Sequence, residues 1–136
     1  MSMIVNRRDL DFVLYETLGL EKILESERYA DYDRESLDAM LDLCQTVAED
    51  QFLTCASKLD ANEPKFVDGK VETISELKDA IAAYQEAGLC ATAYDADIGG
   101  LQLPWMMDQA LNGMFVCANN PAHIYLFLTK GVTNML

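Results

Sequence analysis

Residues Asp33 to Leu59 read DRESLDAMLDLCQTVAEDQFLTCASKL. Along this stretch Leu37, Met40, Leu41, Cys44, Val47, Ala48, Phe52, Cys55 and Leu59 recur three or four residues apart, which places them on one face of a helix. Asp42, Glu49 and Asp50 fall off that stripe and belong in water. At about 1.5 Å per residue such a helix extends roughly 35 to 40 Å, long enough to form one wall of a helical bundle.

The segments on either side favour the same fold class. Upstream, Leu10, Val13, Leu14 and Leu18 have helical spacing, with Asp9 as a candidate N-cap and Gly19 as a stop. Leu20, Ile23 and Leu24 continue for another turn or two, and the polar stretch Glu25 to Arg34 reads as an exposed connection. Downstream, Asp68-Gly69 is flanked by Phe66, Val67 and Val71. We read this as an irregular loop with one tight turn in preference to a hairpin, because the flanking runs are short. Ser75 opens a further helix through Leu77, Ile81 and Tyr84, which Gly88 ends.

Cys90 to Leu103 shows no helical period, and Pro104 then opens a helix with Met107, Leu111, Met114, Phe115 and Ala118 on one side. Asn120-Pro121 reads as an N-cap and first-turn pair for a last helix, whose apolar run Ala122 to Leu128 predicts burial; a buried strand is the alternative for that run, and the cap and the neighbouring helices favour the helix. Lys130 near its end complements the helix dipole. The expectation is a single all-α domain over residues 1–136, a mostly antiparallel bundle of about five or six helices. The apolar ending Val132 to Leu136 is unlike that of a complete domain, whose ends usually lie exposed.

Composition limits the function. With 136 residues and a formal charge of −13, the chain repels phosphate backbones and anionic lipid, so neither nucleic acid nor a membrane is an expected partner. The longest apolar run, near Ile124 to Leu128, is too short to cross a bilayer. Arg7, Arg8 and Asp9 stand where a signal peptide needs apolar residues, which predicts a cytoplasmic protein. Cys44, Cys55, Cys90 and Cys117 have no Cys-x-x-Cys spacing and read as buried free thiols. His123 is the one histidine, so neither a zinc site nor a Ser-His or Cys-His pair is expected. No carboxylate is singled out as an acid or base, so no catalytic residue is assigned. Met106, Met107 and Met114 beside Phe115 read as adaptable core, with the wall of an apolar pocket as the alternative.

Gly99-Gly100-Leu101-Gln102-Leu103-Pro104, Ala118-Asn119 and Leu128-Thr129-Lys130-Gly131, preceded by Gly88-Leu89 and by Asp68 to Val71, follow an order and spacing that resemble the acyl-CoA dehydrogenase family. The resemblance covers roughly Phe66 to Leu136, with the long Asp33 to Leu59 helix agreeing less specifically. The branch that includes 3-methylmercaptopropionyl-CoA dehydrogenases is the most similar. Asp97-Ile98 stands where the family often has Tyr, and Gln102 where a second loop glycine is frequent.

In that family a carboxylate takes the α proton of an acyl thioester and flavin N5 receives the β hydride. The resemblance implies the N-terminal helical domain of such an FAD enzyme, whose substrate is an acyl-CoA. The middle β-domain and the C-terminal domain that carries the catalytic glutamate are not in this stretch. It therefore implies no flavin bound to this chain alone, no catalysis by it alone, and homo-oligomerisation through an uncovered apolar face. By carry-over, Leu101, Phe115, Asn119, Leu128 and Thr129 are candidate acyl-pocket walls, with Gly99 and Gly100 shaping the adjacent loop. The other functions weighed are a free-standing helical dimerisation module and an acyl-chain-binding protein without chemistry.

Overall fold

A computed structural model describes residues 2–133. In chain order it contains α1 (Arg7–Asp11), which runs into a π-helical stretch (Phe12–Thr17), α2 (Leu20–Leu24) and a 3-10 turn (Glu27–Tyr29). Then come α3 (Arg34–Val47), a second π-helical stretch (Ala48–Leu53) and α4 (Thr54–Ala61), which form one continuous helical path. β1 (Lys65–Val67), β2 (Lys70–Glu72), α5 (Ser75–Glu86), two 3-10 turns (Leu89–Ala91 and Ala96–Ile98) and α6 (Trp105–Thr133) complete it. The fold is all-α, and among the described residues the only sheet is the β1-β2 ribbon.

The long helix starts where its cap dictates. Asp33 accepts the Ser36 N–H (2.8 Å) while Ser36 Oγ accepts the Asp33 N–H (3.0 Å), a reciprocal capping box. Leu37, Leu41, Cys44, Ala48, Phe52, Cys55 and Leu59 are all buried, as the stripe requires. The helix is not uniform, however. Asn119 of α6 donates to the Phe52 carbonyl (3.0 Å), and the backbone widens to a π turn over the stretch that contains Phe52. Leu77, Ala80 and Tyr84 of α5 and Met107, Leu111, Met114, Phe115, Ala118 and Ala122 of α6 close the core over this helix. At its centre the rings of Phe52, Tyr84 and Phe115 meet edge to face, with Phe115 4.9 Å from each of the other two.

Several boundaries differ from the sequence reading. The first helix is capped from Asn6, whose amide donates to Asp9 (2.8 Å), so Asp9 lies in the first turn and is not the cap. α5 starts behind Ile74 with no side-chain cap, and Ser75 bonds its neighbour Glu76 instead. The Asp68-Gly69 region is a hairpin and not an irregular loop. Both turn residues have positive φ (49° and 80°), the geometry whose twist suits a two-residue hairpin, and Phe66 pairs with Val71 across the exposed ribbon.

The last helix differs most. α6 is two helices joined at a kink at Asn119 (φ −163°, ψ 85°), so the last helix exists as expected, but its cap is Asn119 and not Asn120. Asn119 caps the second half by accepting the Ala122 N–H (3.2 Å), and Pro121 falls in the first turn, where its missing N–H costs nothing. That half is helical but not buried: Ile124, Tyr125, Phe127 and Leu128 are exposed, while Ala122, His123 and Lys130 are buried. Lys130, read from sequence as a dipole partner, is an interior ion-pair member. Of the four thiols, Cys44 and Cys55 are buried, but Cys90 and Cys117 are exposed. Residues 109–129 carry no Asp, Glu, Lys or Arg, yet no described helix is long and apolar enough to cross a membrane. Of the apolar ending, residues 134–136 lie outside the described part.

Candidate functional site

Between α5 and α6 the chain folds back on itself. The Leu101, Gln102 and Leu103 N–H groups donate to the carbonyls of Ala91 (3.0 Å), Tyr94 (2.8 Å) and Thr92 (2.8 Å), and those of Gly99 and Gly100 donate to Ala96 (3.0 Å) and Asp95 (2.9 Å). Gly100 lies so close to Tyr94 that a Cβ on it would overlap the Tyr94 carbonyl and Cβ. Gly100→Ala is therefore expected to destabilise by about 1–3 kcal/mol or more through forced backbone movement. Urea unfolding measures this, and a loss near zero would contradict the packing. Gln102 adopts φ +52°, held by its amide donating to the Arg28 carbonyl (2.7 Å), which shows how a non-glycine residue occupies a left-handed position here.

Below this loop is a buried polar network. Asp108, fully buried on α6, pairs with Lys130 and accepts from Thr92, while its other oxygen accepts from Asn112 (3.0 Å) and Gln109 (3.1 Å). Lys130 also donates to Thr92 Oγ1 (2.7 Å). The carboxylate thus has a donor at every side, the condition under which an interior ion pair is tolerated.

Lys130 also reaches the floor of a cleft of about 420 Å³. One wall is α5 and the loop, with Ile81, Tyr84, Cys90 and Tyr94; the other is the second half of α6, with Tyr125, Leu126 and Thr129. Most of the surface it presents is apolar, but Tyr84, Gln85, Tyr94, Tyr125, Thr129, Lys130 and Thr133 bring hydroxyl, amide and ammonium groups to it, the mixture of apolar wall and placed polar groups found in ligand pockets. Cys90 is exposed as a residue, yet partial desolvation of its thiol raises its pKa, partly offset by the Lys130 charge, and burial pushes the Tyr84 phenol well above its ordinary range. Neither is an activated nucleophile or base. Among the described residues no group of three His, Cys, Asp or Glu side chains is placed to hold a metal ion.

No protein-family model matches the chain. Over 123 residues, 88% of its length, it is 29% identical to the broad-specificity linear acyl-CoA dehydrogenase FadE5 of Mycobacterium tuberculosis. The chain is a distant, partial homologue of an acyl-CoA dehydrogenase. It spans about a fifth of that relative, 20% of its length.

The residues carried over from the acyl-CoA dehydrogenase pattern are dispersed in space. Thr129 lines the cleft. Phe115 is in the aromatic core and Asn119 at the break in α6, both buried. Gly99, Gly100 and Leu101 shape the folded-back loop, where the Leu101 carbonyl accepts from Tyr32. Leu128 is on the outer surface.

The sequence marks Ile81 and Tyr84 only as a helix face and Cys90 only as a thiol, does not single out Tyr94 or Tyr125, and does not join Thr92, Asp108 and Lys130 into a network. For Asp108 a signal exists, because it precedes Leu111 by three residues and Phe115 by seven. A charge within an apolar stripe calls for a buried partner.

His123, the one histidine, is almost wholly buried, stacked on Phe115 with ring centroids 6.1 Å apart. Its Nε2 has no hydrogen-bond partner. Burial first, and the Lys130 charge second, hold its pKa below the ordinary 6.5. The folded chain thus refuses a proton that the unfolded chain accepts. Stability from this group is complete above about pH 6.5 and is lost as pH falls below that value, until the lower folded value is reached. Denaturation between about pH 7.5 and about pH 5.5 should show this slope in wild type and a flatter one in His123→Phe. Equal slopes would contradict it.

Proposed function

We propose that this chain is the N-terminal helical part of an FAD-dependent acyl-CoA dehydrogenase and that its cleft holds part of the acyl chain of a thioester substrate. The observation that carries the reading is the apolar cleft between α5, the loop and the second half of α6, in a chain that is similar to a broad-specificity linear acyl-CoA dehydrogenase over most of its length. The 3-methylmercaptopropionyl-CoA dehydrogenase branch is the finer assignment, resting on the loop sequence Gly99 to Pro104 and the Leu128 to Gly131 segment.

The folded-back loop offers no pyrophosphate site for a flavin. Backbone capture of a pyrophosphate uses free amide N–H groups, and those of the folded-back loop from Gly99 to Leu103 are all donated to carbonyls of the same loop. Nor is there a free base at the cleft floor, because Asp108 is neutralised by Lys130 and fully hydrogen-bonded. What these helices do is exclude water and shape the space around an apolar chain. FAD binding and the catalytic base then belong to other parts of the working enzyme.

Calorimetric titration tests this with dodecanoyl-CoA against free CoA. The acyl thioester should bind more tightly than CoA, and Thr129→Trp, at an exposed helix position on the cleft wall, should weaken it by about tenfold or more with no change in thermal stability. An unchanged affinity for dodecanoyl-CoA, or no preference over CoA, would contradict the reading.

A second reading, a helical dimerisation module, is favoured by the exposed apolar strip of α6 that includes Val116, Ile124, Phe127 and Leu128. Sedimentation showing a tight dimer, with no thioester binding, would support it against the first.

A further inference from the structure

Past Asn119 the second half of α6 is a separate rod. The break at Asn119 is non-helical, and Pro121 has no N–H to return across it. The near end of the rod is anchored by Asn119, which bonds Phe52 O and caps Ala122. The far end, about 16 Å away at 1.5 Å per residue, is anchored by Lys130, which bonds Asp108 and Thr92, and by the Lys130 carbonyl, which accepts from Tyr94 (3.4 Å). Between the anchors only Ala122 and His123 are buried, so packing alone holds the rod weakly.

Tyr125, Leu126, Thr129, Lys130 and Thr133, all on the rod, make one wall of the cleft. Rotation at Asn119 therefore changes the cleft's width, and the movement grows towards the far end of the rod, where Lys130 and Thr133 stand. We propose that Asn119 is a hinge and that Asp108, Thr92 and Lys130 form a latch that sets how far the rod closes over the cleft. Asp108 and Lys130 are then positioning residues for the cleft, and their ligand being an acyl thioester rests on the function proposed above. The latch resists opening because release of Lys130 to water leaves the Asp108 charge buried without its counter-ion. It is also where an incoming chain meets the protein, because Lys130 lines the cleft.

Hydrogen exchange read by mass spectrometry on peptides covering residues 120–133, with α3 as reference, tests this. The variant is the double substitution Asp108→Asn with Lys130→Met, which removes both charges and leaves no unpaired ion to unfold the chain. Exchange in 120–133 should rise by about tenfold or more while α3 is unchanged. Dodecanoyl-CoA should slow exchange of the same peptides in wild type and do so less in the double variant. Unchanged exchange in 120–133, or an equal rise in α3, overturns the latch. If dodecanoyl-CoA leaves wild-type exchange unaltered, its coupling to the latch and the acyl reading of the cleft both fail, and the ligand-free comparison decides the latch alone.

Discussion

Lys130→Met is expected to destabilise the fold by about 3–5 kcal/mol, because it removes one member of an interior ion pair and leaves Asp108 charged without its counter-ion. Net stabilities of domains are about 5–15 kcal/mol, so the loss is a large fraction of the whole. The double variant Asp108→Asn with Lys130→Met should recover most of it. The introduced asparagine keeps an acceptor for Thr92, and the introduced methionine fills the space of the lysine stem without a charge. The comparison separates two costs that a single substitution confounds, the net worth of the pair and the penalty of an orphaned charge. Urea unfolding followed by circular dichroism measures both. If single and double variants lose the same amount, the Asp108–Lys130 pairing is not what holds the two halves of α6 in register.

Phe52→Ala should cost about 3–5 kcal/mol through the cavity left in the core. Phe52 is fully buried and its ring faces both Phe115 and Tyr84, so its removal empties the space that α5, α6 and the long helix share. The backbone carbonyl that receives Asn119 is retained, so the loss reports on packing and not on the hinge. Phe66→Ala on the exposed ribbon should change stability by no more than about 0.5 kcal/mol and serves as the control. A cost below about 1.5 kcal/mol for Phe52→Ala would mean that the core is not centred on these three rings.

The long helix is legible in the sequence because its stripe is dense and periodic and its cap residues are local. Helix periodicity depends on neighbours in sequence, and from Leu37 to Leu59 every stripe residue read as core is at least partly buried. The π turn at Ala48–Leu53 is not legible, because it accompanies the Asn119 hydrogen bond across 67 positions of sequence. Strand length alone argues against the hairpin, although Asp68-Gly69 carries the turn chemistry that decides it. The second half of α6 reads as buried because its run is apolar. An apolar run records that something covers a surface, and in this chain nothing described covers Ile124, Phe127 or Leu128.

Of the site residues carried over by resemblance only Thr129 lines the cleft; Gly99 to Pro104 do not, and the partners that face Thr129 across the gap are not legible. Cys90 and Tyr94 are brought there by the turn that Gly88 opens and by the folded-back loop, and Ile81 by the packing of α5. These are long-range consequences of packing. Asp108 and Lys130 are 22 positions apart and on opposite sides of the Asn119 break, so no local pattern joins them.

The deciding measurement is to purify the protein that carries this sequence from its native locus, determine its intact mass and absorption spectrum, and assay α,β-dehydrogenation of dodecanoyl-CoA. If the helices described here are the acyl-binding part of a dehydrogenase, the sequence will be found in a substantially longer polypeptide with bound flavin and acyl-CoA-dependent flavin reduction. A flavin-free product whose mass matches these 136 residues, inert towards acyl-CoA, would contradict that assignment and leave the dimerisation module as the better reading.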